Sequence, residues 1–195
     1  MSEFNKYFRP GFLEVFCGPM KSGKTLELMH RVERLKYMSG ISIAYFKPST
    51  DKRSKGFHSR FQNIENNCYV VDNSSEITDL IKDEKIVVMD EAQFFDDGIC
   101  SVTNKLLDEK KNVIIAGLDL DFKGEPFGPM PNILALANEI TKLSGICDYK
   151  GCNNPAYFTQ RLINGEPASR ESPLVLVGDK DYYETRCRKH HQVLE

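Results

Sequence analysis

The residues whose types and spacing predict chemistry most directly form a glycine-rich octapeptide near the N-terminus. The octapeptide fits the phosphate-binding loop pattern at every fixed position and reads Gly18-Pro19-Met20-Lys21-Ser22-Gly23-Lys24-Thr25. In that pattern the glycines let backbone N–H groups turn inward around phosphates, the lysine neutralises phosphate oxygens, and the threonine hydroxyl binds Mg²⁺. A glycine turn that matches the pattern by chance is the alternative. The sequence therefore predicts a nucleoside triphosphate site at residues 18–25.

Two adjacent acids form the second feature that predicts chemistry. Asp90 and Glu91 follow a compact apolar run, residues 86–89, which is typical of a buried strand. We expect this strand to run beside the strand that leads into residues 18–25, so that both carboxylates emerge near the triphosphate at the carboxyl edge of the sheet. One carboxylate could then hold a metal ion while the other takes a proton from an acceptor hydroxyl. Capping of the following helix is the alternative role for the pair.

Four soft ligands near the C-terminus predict a metal site. Cys147 and Cys152 are separated by four residues, and Cys187 and His190 by two. Four such ligands suffice for a closed tetrahedral zinc site, and binding of the metal would stabilise a segment that has little apolar content. A disulfide and scattered free thiols are the alternatives. His191 could also take the place of His190.

The scaffold for these residues follows from the apolar pattern. A short apolar run before the glycine turn and a run at helical spacing after it indicate a strand and a helix. Strands that alternate with helices indicate an α/β protein with a parallel sheet flanked by helices, as in P-loop nucleotide-binding proteins. The strands are predicted at residues 12–16, 41–46, 86–89 and 112–117, and the helices at residues 26–38 and 102–110.

The pattern changes after Leu143, where cysteines, glycines and prolines interrupt every longer period. We expect residues 1–143 to form the nucleotide-binding domain, residues 144–193 to form a small metal-binding lobe, and residues 194–195 to be a cloning remnant without a structural role. Residues 49–67 are polar and aperiodic, so we expect a flexible loop there. Cys17 ends a predicted strand and is expected to pack as a small apolar residue.

Composition excludes several classes of protein. The 195 residues are 41% hydrophobic and 28% charged, which is typical of a globular chain. The net charge of −2, from 26 basic and 28 acidic residues, gives no general attraction to a polyanion, so nucleic acid is not expected as a partner. No apolar stretch approaches the roughly 20 residues that cross a membrane, and the N-terminus lacks a signal-peptide pattern. We expect a cytoplasmic protein without a membrane partner.

Taken together, these motifs resemble those of the thymidine kinase family, in its cellular, zinc-containing type and in a bacterial form. The resemblance spans residues 12–190, almost the whole chain. It is carried by residues 18–25, the cysteine pair and four further motifs, which are Asp90-Glu91-Ala92-Gln93-Phe94-Phe95, Gly117-Leu118-Asp119 with Phe122, Pro126-Phe127-Gly128, and Tyr183 shortly before Cys187.

The resemblance implies an activity and assigns roles residue by residue. The family transfers the γ-phosphate of ATP to the 5′-hydroxyl of thymidine, and we expect deoxyuridine also to be accepted, in nucleotide salvage. Glu91 matches the proton acceptor. The residues that match ATP and Mg²⁺ contacts are Gly18 and the rest of the octapeptide, Asp51, Arg53, Asp90 and Gln93. The residues that match the nucleoside pocket are Met20, Leu118, Phe122, Phe127, Thr159, Leu174, Val175, Leu176, Val177, Gly178 and Tyr183.

In the family, a loop tethered to the zinc lobe closes over the base like a lasso, and here it would span about residues 165–183. Main-chain groups near residues 174–178 would bond the thymine edge, and such readout gives narrow specificity because a wrong base leaves buried groups unpaired. A homotetramer and feedback inhibition by dTTP are implied by the resemblance alone. The chain departs from the family pattern in having His190 where a fourth cysteine is common, and in the wider spacing of Cys147 and Cys152.

Two other functions stay open at this point. One is a nucleotide-switched module in which the zinc lobe grips DNA or RNA, although the chain lacks a basic stripe. The other is a deoxynucleoside kinase for another base, because an apolar and aromatic pocket grips any flat ring.

Overall fold

A computed structural model describes residues 9–50, 57–59, 62–64, 68–174 and 181–195, and it describes only the backbone of residues 57–59, 62–64, 181 and 182. The strands are β1 (Leu13–Cys17), β2 (Ile43–Pro48), β3 (Phe57–Ser59), β4 (Gln62–Ile64), β5 (Cys68–Val71), β6 (Ile86–Met89), β7 (Asn112–Gly117), β8 (Glu139–Lys142), β9 (Gly145–Ile146), β10 (Pro155–Ala156), β11 (Phe158–Ile163), β12 (Glu166–Pro167) and β13 (Asp181–Arg186). The α-helices are α1 (Lys24–Lys36), α2 (Glu76–Leu80), α3 (Ile99–Asp108) and α4 (Met130–Leu136), and a 3₁₀ helix lies at Ala92–Phe94.

A six-stranded sheet in the order β5-β2-β6-β7-β1-β8 forms the centre of the molecule. Each pair of neighbouring strands in it is parallel. Parallel sheets need both faces covered, and the apolar strand residues accordingly form two core clusters, one with α1 and the other with α3 and α4. The predicted fold class, an α/β protein with a parallel sheet flanked by helices, is confirmed.

The side-chain alternation of the strands divides the core between the two faces of the sheet. In β6, Ile86 and Val88 pack with the cluster that contains α1, whereas Val87 and Met89 pack with the cluster that contains α3 and α4. All four are fully buried, and burial of such side chains contributes about 1.5–3 kcal/mol each. An unbroken apolar run is therefore what a central strand of this sheet requires.

One expectation about the sheet is wrong. We expected the strand before Asp90 to run beside β1, but β6 pairs with β2 and β7, and β7 separates it from β1. Val113 of β7 is paired with Leu13 on one side and Val87 on the other. The apolar pattern identifies a buried strand but not its neighbours, since all of these strands are mainly apolar. The carboxyl end of β7 consequently lies between the glycine turn and the acid pair.

The predicted elements agree with the observed ones to within three residues at each end, but other elements were not predicted. The aperiodic segment at residues 49–67, expected to be a flexible loop, contains the antiparallel pair of β3 and β4 in its described part. Cys17 is buried in the core, as expected.

The C-terminal region contains two small antiparallel sheets that are separate from the central sheet. One consists of β9 and β10, and the other has the order β12-β11-β13. Leu194 donates a backbone hydrogen bond to Ala168 and accepts one from Arg170, so the end of the chain is joined to the segment after β12. In the described part of the chain, none of the helices has the length and apolar character needed to cross a membrane.

Candidate functional site

The glycine turn lies where the sequence predicted it, between the end of β1 and the start of α1. Gly18 and Gly23 have φ values of 141° and 88°, and Lys21 also adopts a left-handed conformation with φ of 61°. A Cβ atom on Gly18 would lie 2.4 Å from the carbonyl oxygen of Leu143, so a larger residue cannot occupy this position without moving the backbone. The turn therefore adopts the tight conformation that a phosphate-binding loop requires.

Lys24 begins α1 and lies inside the turn. Its Nζ donates a hydrogen bond to the carbonyl oxygen of Pro19 at 2.7 Å. Burial lowers the pKa of Lys24, while the nearby charges of Glu91 and Asp90 oppose that shift. The lysine is thus the cation that faces the acid pair across the site.

Asp90 contacts the glycine turn directly. The Thr25 hydroxyl donates to Oδ2 of Asp90 at 2.9 Å, and the Glu91 amide donates to Oδ1 at 2.8 Å. Burial and the charge of Glu91 raise the pKa of Asp90 above its ordinary value, and a divalent cation at the carboxylate would lower it again. A threonine hydroxyl beside a carboxylate is the ligand pair that holds Mg²⁺ at P-loops, so these two residues fit the expected ion.

Glu91 is held by a side-chain amide. Gln93 donates from Nε2 to Oε2 of Glu91 at 2.6 Å and accepts from the Leu118 amide at 2.8 Å through its Oε1. Glu91 itself has a left-handed backbone with φ of 54°, and Gln93 is only 2% exposed. Gln93 therefore orients the Glu91 carboxylate, whereas the sequence associated it with nucleotide and Mg²⁺.

Asp119 lies beyond the end of β7, in the position between the turn and the acid pair. It is 6% exposed, and its Oδ2 accepts a 2.8 Å ion pair from Nζ of Lys142. Its charge also acts on Lys24. The sequence singled out Asp119 only as part of a motif and did not find Lys142, because the edge strand β8 that carries this lysine was not predicted.

Several predicted pocket residues are buried or contact other parts of the site. The amide of Met20 donates to Oγ1 of Thr159 at 3.0 Å, which joins the glycine turn to β11. Leu118, Phe122 and Phe127 are buried. Phe127 also packs edge-on against Phe94, with ring centroids 5.5 Å apart.

A buried cation lies among these side chains. Arg161 of β11 is fully buried, and its guanidinium lies 5.1 Å from the centre of the Phe122 ring and 5.9 Å from that of Tyr183. It also donates from Nη1 to the carbonyl oxygen of Pro173 at 2.6 Å. Arg161 carried no sequence signal, because an isolated arginine is most often a surface residue.

Leu174 is described and is 45% exposed. Six further residues that the sequence predicted for the site lie outside the described residues, and these are Asp51, Arg53, Val175, Leu176, Val177 and Gly178.

The four predicted metal ligands converge. The ligand atoms of Cys147, Cys152, Cys187 and His190 all lie within 4.8 Å of one another. Nδ1 of His190 is 3.6 Å from Sγ of Cys147 and 3.5 Å from Sγ of Cys187, and the sulfurs of Cys152 and Cys187 are 3.9 Å apart. Tetrahedral zinc with ordinary bond lengths places two sulfurs about 3.8 Å apart and a sulfur and a nitrogen about 3.6 Å apart. The cluster therefore fits zinc, with distances far too long for a disulfide.

His191 has a different environment from His190. Its Nε2 lies 2.9 Å from the carbonyl oxygen of Phe122, and its ring stacks on Phe158. The ring of His190 instead stacks on Tyr149 with centroids 4.0 Å apart, which fixes the orientation of its Nδ1. His190 is thus the histidine of the metal cluster.

The fold and this geometry define a class, the α/β proteins in which a glycine turn after a parallel strand faces an acid pair at the same edge of the sheet. The thymidine kinase family model matches residues 11–191, nearly the whole chain, and the chain belongs to that family. It is accordingly a phosphotransferase that acts on thymidine. Among solved structures, the flagellar accessory protein FlaH from Methanocaldococcus jannaschii is 12% identical with a TM-score of 0.47, over 74% of this chain and 75% of that one. A likeness this distant carries no functional argument.

Proposed function

We propose that the protein transfers the γ-phosphate of ATP to the 5′-hydroxyl of thymidine, giving dTMP and ADP. The single observation that carries this proposal is the 2.9 Å contact between the Thr25 hydroxyl and Asp90, beside Glu91. It joins the glycine turn to the acid pair, as transfer from a bound triphosphate requires. Deoxyuridine, which lacks only the methyl group of the thymine base, is a second acceptor, and the physiological role is nucleotide salvage.

The donor would lie in the glycine turn. The turn amides and Lys24 would contact the β and γ phosphates, and Thr25 and Asp90 would hold the Mg²⁺ that accompanies ATP. In the family pattern Asp51 and Arg53 lie beside the triphosphate. Lys24 would exchange its hydrogen bond to Pro19 for phosphate oxygens, which compensate its buried charge better than a neutral carbonyl does.

Glu91 would act as the proton acceptor. The 5′-oxygen of thymidine forms a bond to the γ-phosphorus as the bond from that phosphorus to the β–γ bridging oxygen breaks, and ADP leaves. The hydroxyl proton passes to the Glu91 carboxylate, which the hydrogen bond from Gln93 holds in place. Most of the remaining rate acceleration would come from positioning of the reactants and from cations around the phosphates.

The nucleoside would lie between the turn and the C-terminal sheets. Its proposed contacts are Met20, Leu118, Phe122, Phe127, Thr159, Leu174 and Tyr183, with main-chain readout of thymine by residues 174–178. The buried positions of Leu118, Phe122 and Phe127 support an apolar wall for a flat base. The Cys147 cluster would hold a structural zinc that fixes this lobe.

Three further properties follow from family membership as proposals. They are feedback inhibition by dTTP, a homotetrameric assembly and a cytoplasmic location. Addition of dTTP to the activity assay, analytical ultracentrifugation and fractionation of the source cells are the measurements that test them.

The test of the proposed function is ADP release by the purified protein with and without nucleoside. We expect release to depend on thymidine or deoxyuridine, with little turnover of deoxycytidine or deoxyguanosine. In Glu91→Gln, kcat should fall at least about 10²-fold because the proton acceptor is lost, while thymidine and ATP still bind.

Glu109→Gln is the matched control, since Glu109 is an exposed acid at the end of α3. It should keep wild-type turnover. Full activity of Glu91→Gln would remove Glu91 from the proposed role, and equal turnover of all four nucleosides would remove the assignment to thymidine.

A further inference from the structure

The tip of the glycine turn is fixed from outside by two threonines. The N–H group of Met20 donates to Oγ1 of Thr159 at 3.0 Å, and the carbonyl oxygen of Met20 accepts from Oγ1 of Thr185 at 3.1 Å. Within the turn itself, the bond from the Ser22 amide to the Pro19 carbonyl oxygen is long, at 3.4 Å. The backbone of Met20 is therefore held mainly by side chains that are more than 130 residues away in the sequence.

The two threonines form one structural unit. Thr159 of β11 and Thr185 of β13 are direct partners across the antiparallel pair, so their side chains leave the same face of the sheet. They are 3% and 2% exposed. Because both hydroxyls are used by a single residue of the turn, a shift of this sheet displaces the turn with it.

Thr185 is tied in turn to the segment that carries the metal ligands. Its amide donates to Oδ2 of Asp148 and its carbonyl oxygen accepts from the Asp148 amide, both at 2.8 Å. Asp148 follows Cys147 directly, and Thr185 precedes Cys187 by two residues. The same Asp148 oxygen lies 3.5 Å from Nζ of Lys21, a residue of the turn with a left-handed backbone.

These contacts connect the metal cluster to the glycine turn. Loss of order around Cys147 and Cys187 releases Asp148 and Thr185, and these two residues hold Lys21 and Met20. A phosphate-binding loop depends on the directions of its amides, so its affinity for nucleotide falls when the tip loses its support.

We propose that Thr185 is a positioning residue that holds the glycine turn in its phosphate-binding conformation and so couples the metal-binding lobe to nucleotide affinity. This inference rests on the proposed function only in that nucleotide binds at residues 18–25. Binding coupling is reciprocal. Nucleotide bound at the glycine turn therefore raises the affinity of the cluster for zinc, through the same contacts.

The first experiment measures the Kd of ADP with Mg²⁺ by titration calorimetry on zinc-loaded protein. Thr185→Val keeps the shape and removes the hydroxyl, and we expect the Kd to rise about 5-fold, the effect of one hydrogen bond. Thr185→Ser keeps the hydroxyl and should bind ADP like the wild type. Thr185→Ala removes the hydroxyl with a smaller side chain, in case valine prevents folding.

Thr103→Val is the matched control. Thr103 is fully buried in α3, and its hydroxyl has no hydrogen-bond partner within the described part of the chain. The same substitution there should leave the Kd of ADP unchanged. An equal rise in Thr103→Val would show that any buried threonine has this effect, and would overturn the proposal.

The second experiment measures the equilibrium distribution of zinc between the protein and a chromogenic chelator, with and without ADP and Mg²⁺. We expect ADP to reduce the fraction of zinc held by the chelator in the wild type and Thr103→Val, and to reduce it less in Thr185→Val. Unchanged ADP affinity and an unchanged effect of ADP on zinc binding in Thr185→Val would overturn the coupling, as would a Thr185→Ser variant as weak as Thr185→Val. Failure of the wild type to bind ADP would instead overturn the proposed function together with this inference.

Discussion

Arg161 is the largest side chain that is fully buried in the described part of the chain. Its guanidinium lies near the rings of Phe122 and Tyr183 and donates to the Pro173 carbonyl oxygen. Burial of a charge is unfavourable unless it is compensated by such contacts. The three partners belong to, or directly precede, the proposed nucleoside pocket. At the scale of single residues, Arg161 therefore joins the pocket wall to the stem of the proposed lasso loop.

Substitution of Arg161 by Met, which has similar length but no charge, should affect thymidine more than ATP. Loss of a charge-assisted hydrogen bond and of a cation–π contact corresponds to about a 10-fold rise in the KM for thymidine. The KM for ATP should change little, because none of these partners belongs to the glycine turn. Initial rates at varied thymidine and varied ATP measure the two constants.

Arg34→Met on the exposed side of α1 is the control and should leave both constants unchanged. The KM of Arg161→Lys for thymidine should lie between those of the wild type and Arg161→Met, since a lysine keeps the charge but not the planar guanidinium with its several donors. An equal rise of both KM values in Arg161→Met would indicate general damage to the fold.

At the scale of elements, the sequence identified the strands and helices whose apolar residues follow a regular pattern. β6 is an unbroken apolar run, β1 and β7 are apolar except for Glu14 and Asn112, and α1 and α3 have apolar residues at helical spacing, so each could be predicted. β8 could not, because this edge strand has the sequence Glu-Ile-Thr-Lys and is mostly exposed. The order of the strands in the sheet could not be predicted either, since strand pairing depends on the whole sheet and not on any one strand.

Helices α2 and α3 are joined at their starts by one carboxylate. Asp96 accepts hydrogen bonds from the amide and hydroxyl of Ser74, two residues before α2, and from the amide of Gly98, just before α3. Burial raises the pKa of Asp96, but these hydrogen bonds outweigh it and the pKa lies below its ordinary value. The partial positive charge at the N-termini of the two helices also stabilises the negative charge of Asp96.

Asp96→Ala should lower the free energy of unfolding by about 1 kcal/mol at pH 6, the typical effect of lost capping bonds. The folded pKa is lowered, so this stabilisation is present above the unfolded pKa of about 3.9 and is lost as the pH falls through the lower folded value. The difference in the free energy of unfolding between the wild type and Asp96→Ala should therefore become smaller toward pH 3. Urea denaturation at both pH values measures it.

Asp97→Ala is the neighbouring control, because Asp97 is also exposed but lies outside these hydrogen bonds. It should unfold at nearly the wild-type urea concentration at both pH values. A gap for Asp96→Ala that widens on acidification would contradict the assigned cause.

At the scale of the whole molecule, the metal cluster takes the place of a hydrophobic core in the C-terminal region. The buried cluster there consists of Cys147, Ala156 and Cys187, with Cys152 packed against it, so most of its members belong to the candidate metal cluster. Structural zinc binds with about 10–16 kcal/mol in small zinc-finger peptides. That is as large as the stability of a typical domain.

Removal of zinc should therefore unfold the C-terminal region while the central sheet persists. In Cys152→Ser, or in the wild type after chelation, amide hydrogen exchange should rise in β9, β10 and β13 and stay slow in β6 and β7. Cys100→Ser is the control, since Cys100 is a free thiol on α3 and should keep one zinc per chain. Fast exchange throughout the chain after chelation would contradict a locally acting metal.

The site was predictable from sequence where its residues are close in the chain. The octapeptide, Asp90 with Glu91, and the ligand pairs of the cluster each form a local pattern with a chemical reason for its spacing. Thr185, Arg161 and Lys142 gave no signal, because they act through contacts with distant parts of the chain. Thr185 meets Met20 across 165 positions, and such a contact exists only once the fold is formed.

The four candidate metal ligands also have a consequence for the chain between them. Cys152 and Cys187 flank residues 153–186, so a bound ion would anchor both ends of the segment that includes β10 to β13. Fixed ends would reduce the number of conformations that this segment loses on binding a substrate. After a protease cut within the segment, the same ion would keep the two fragments attached to each other.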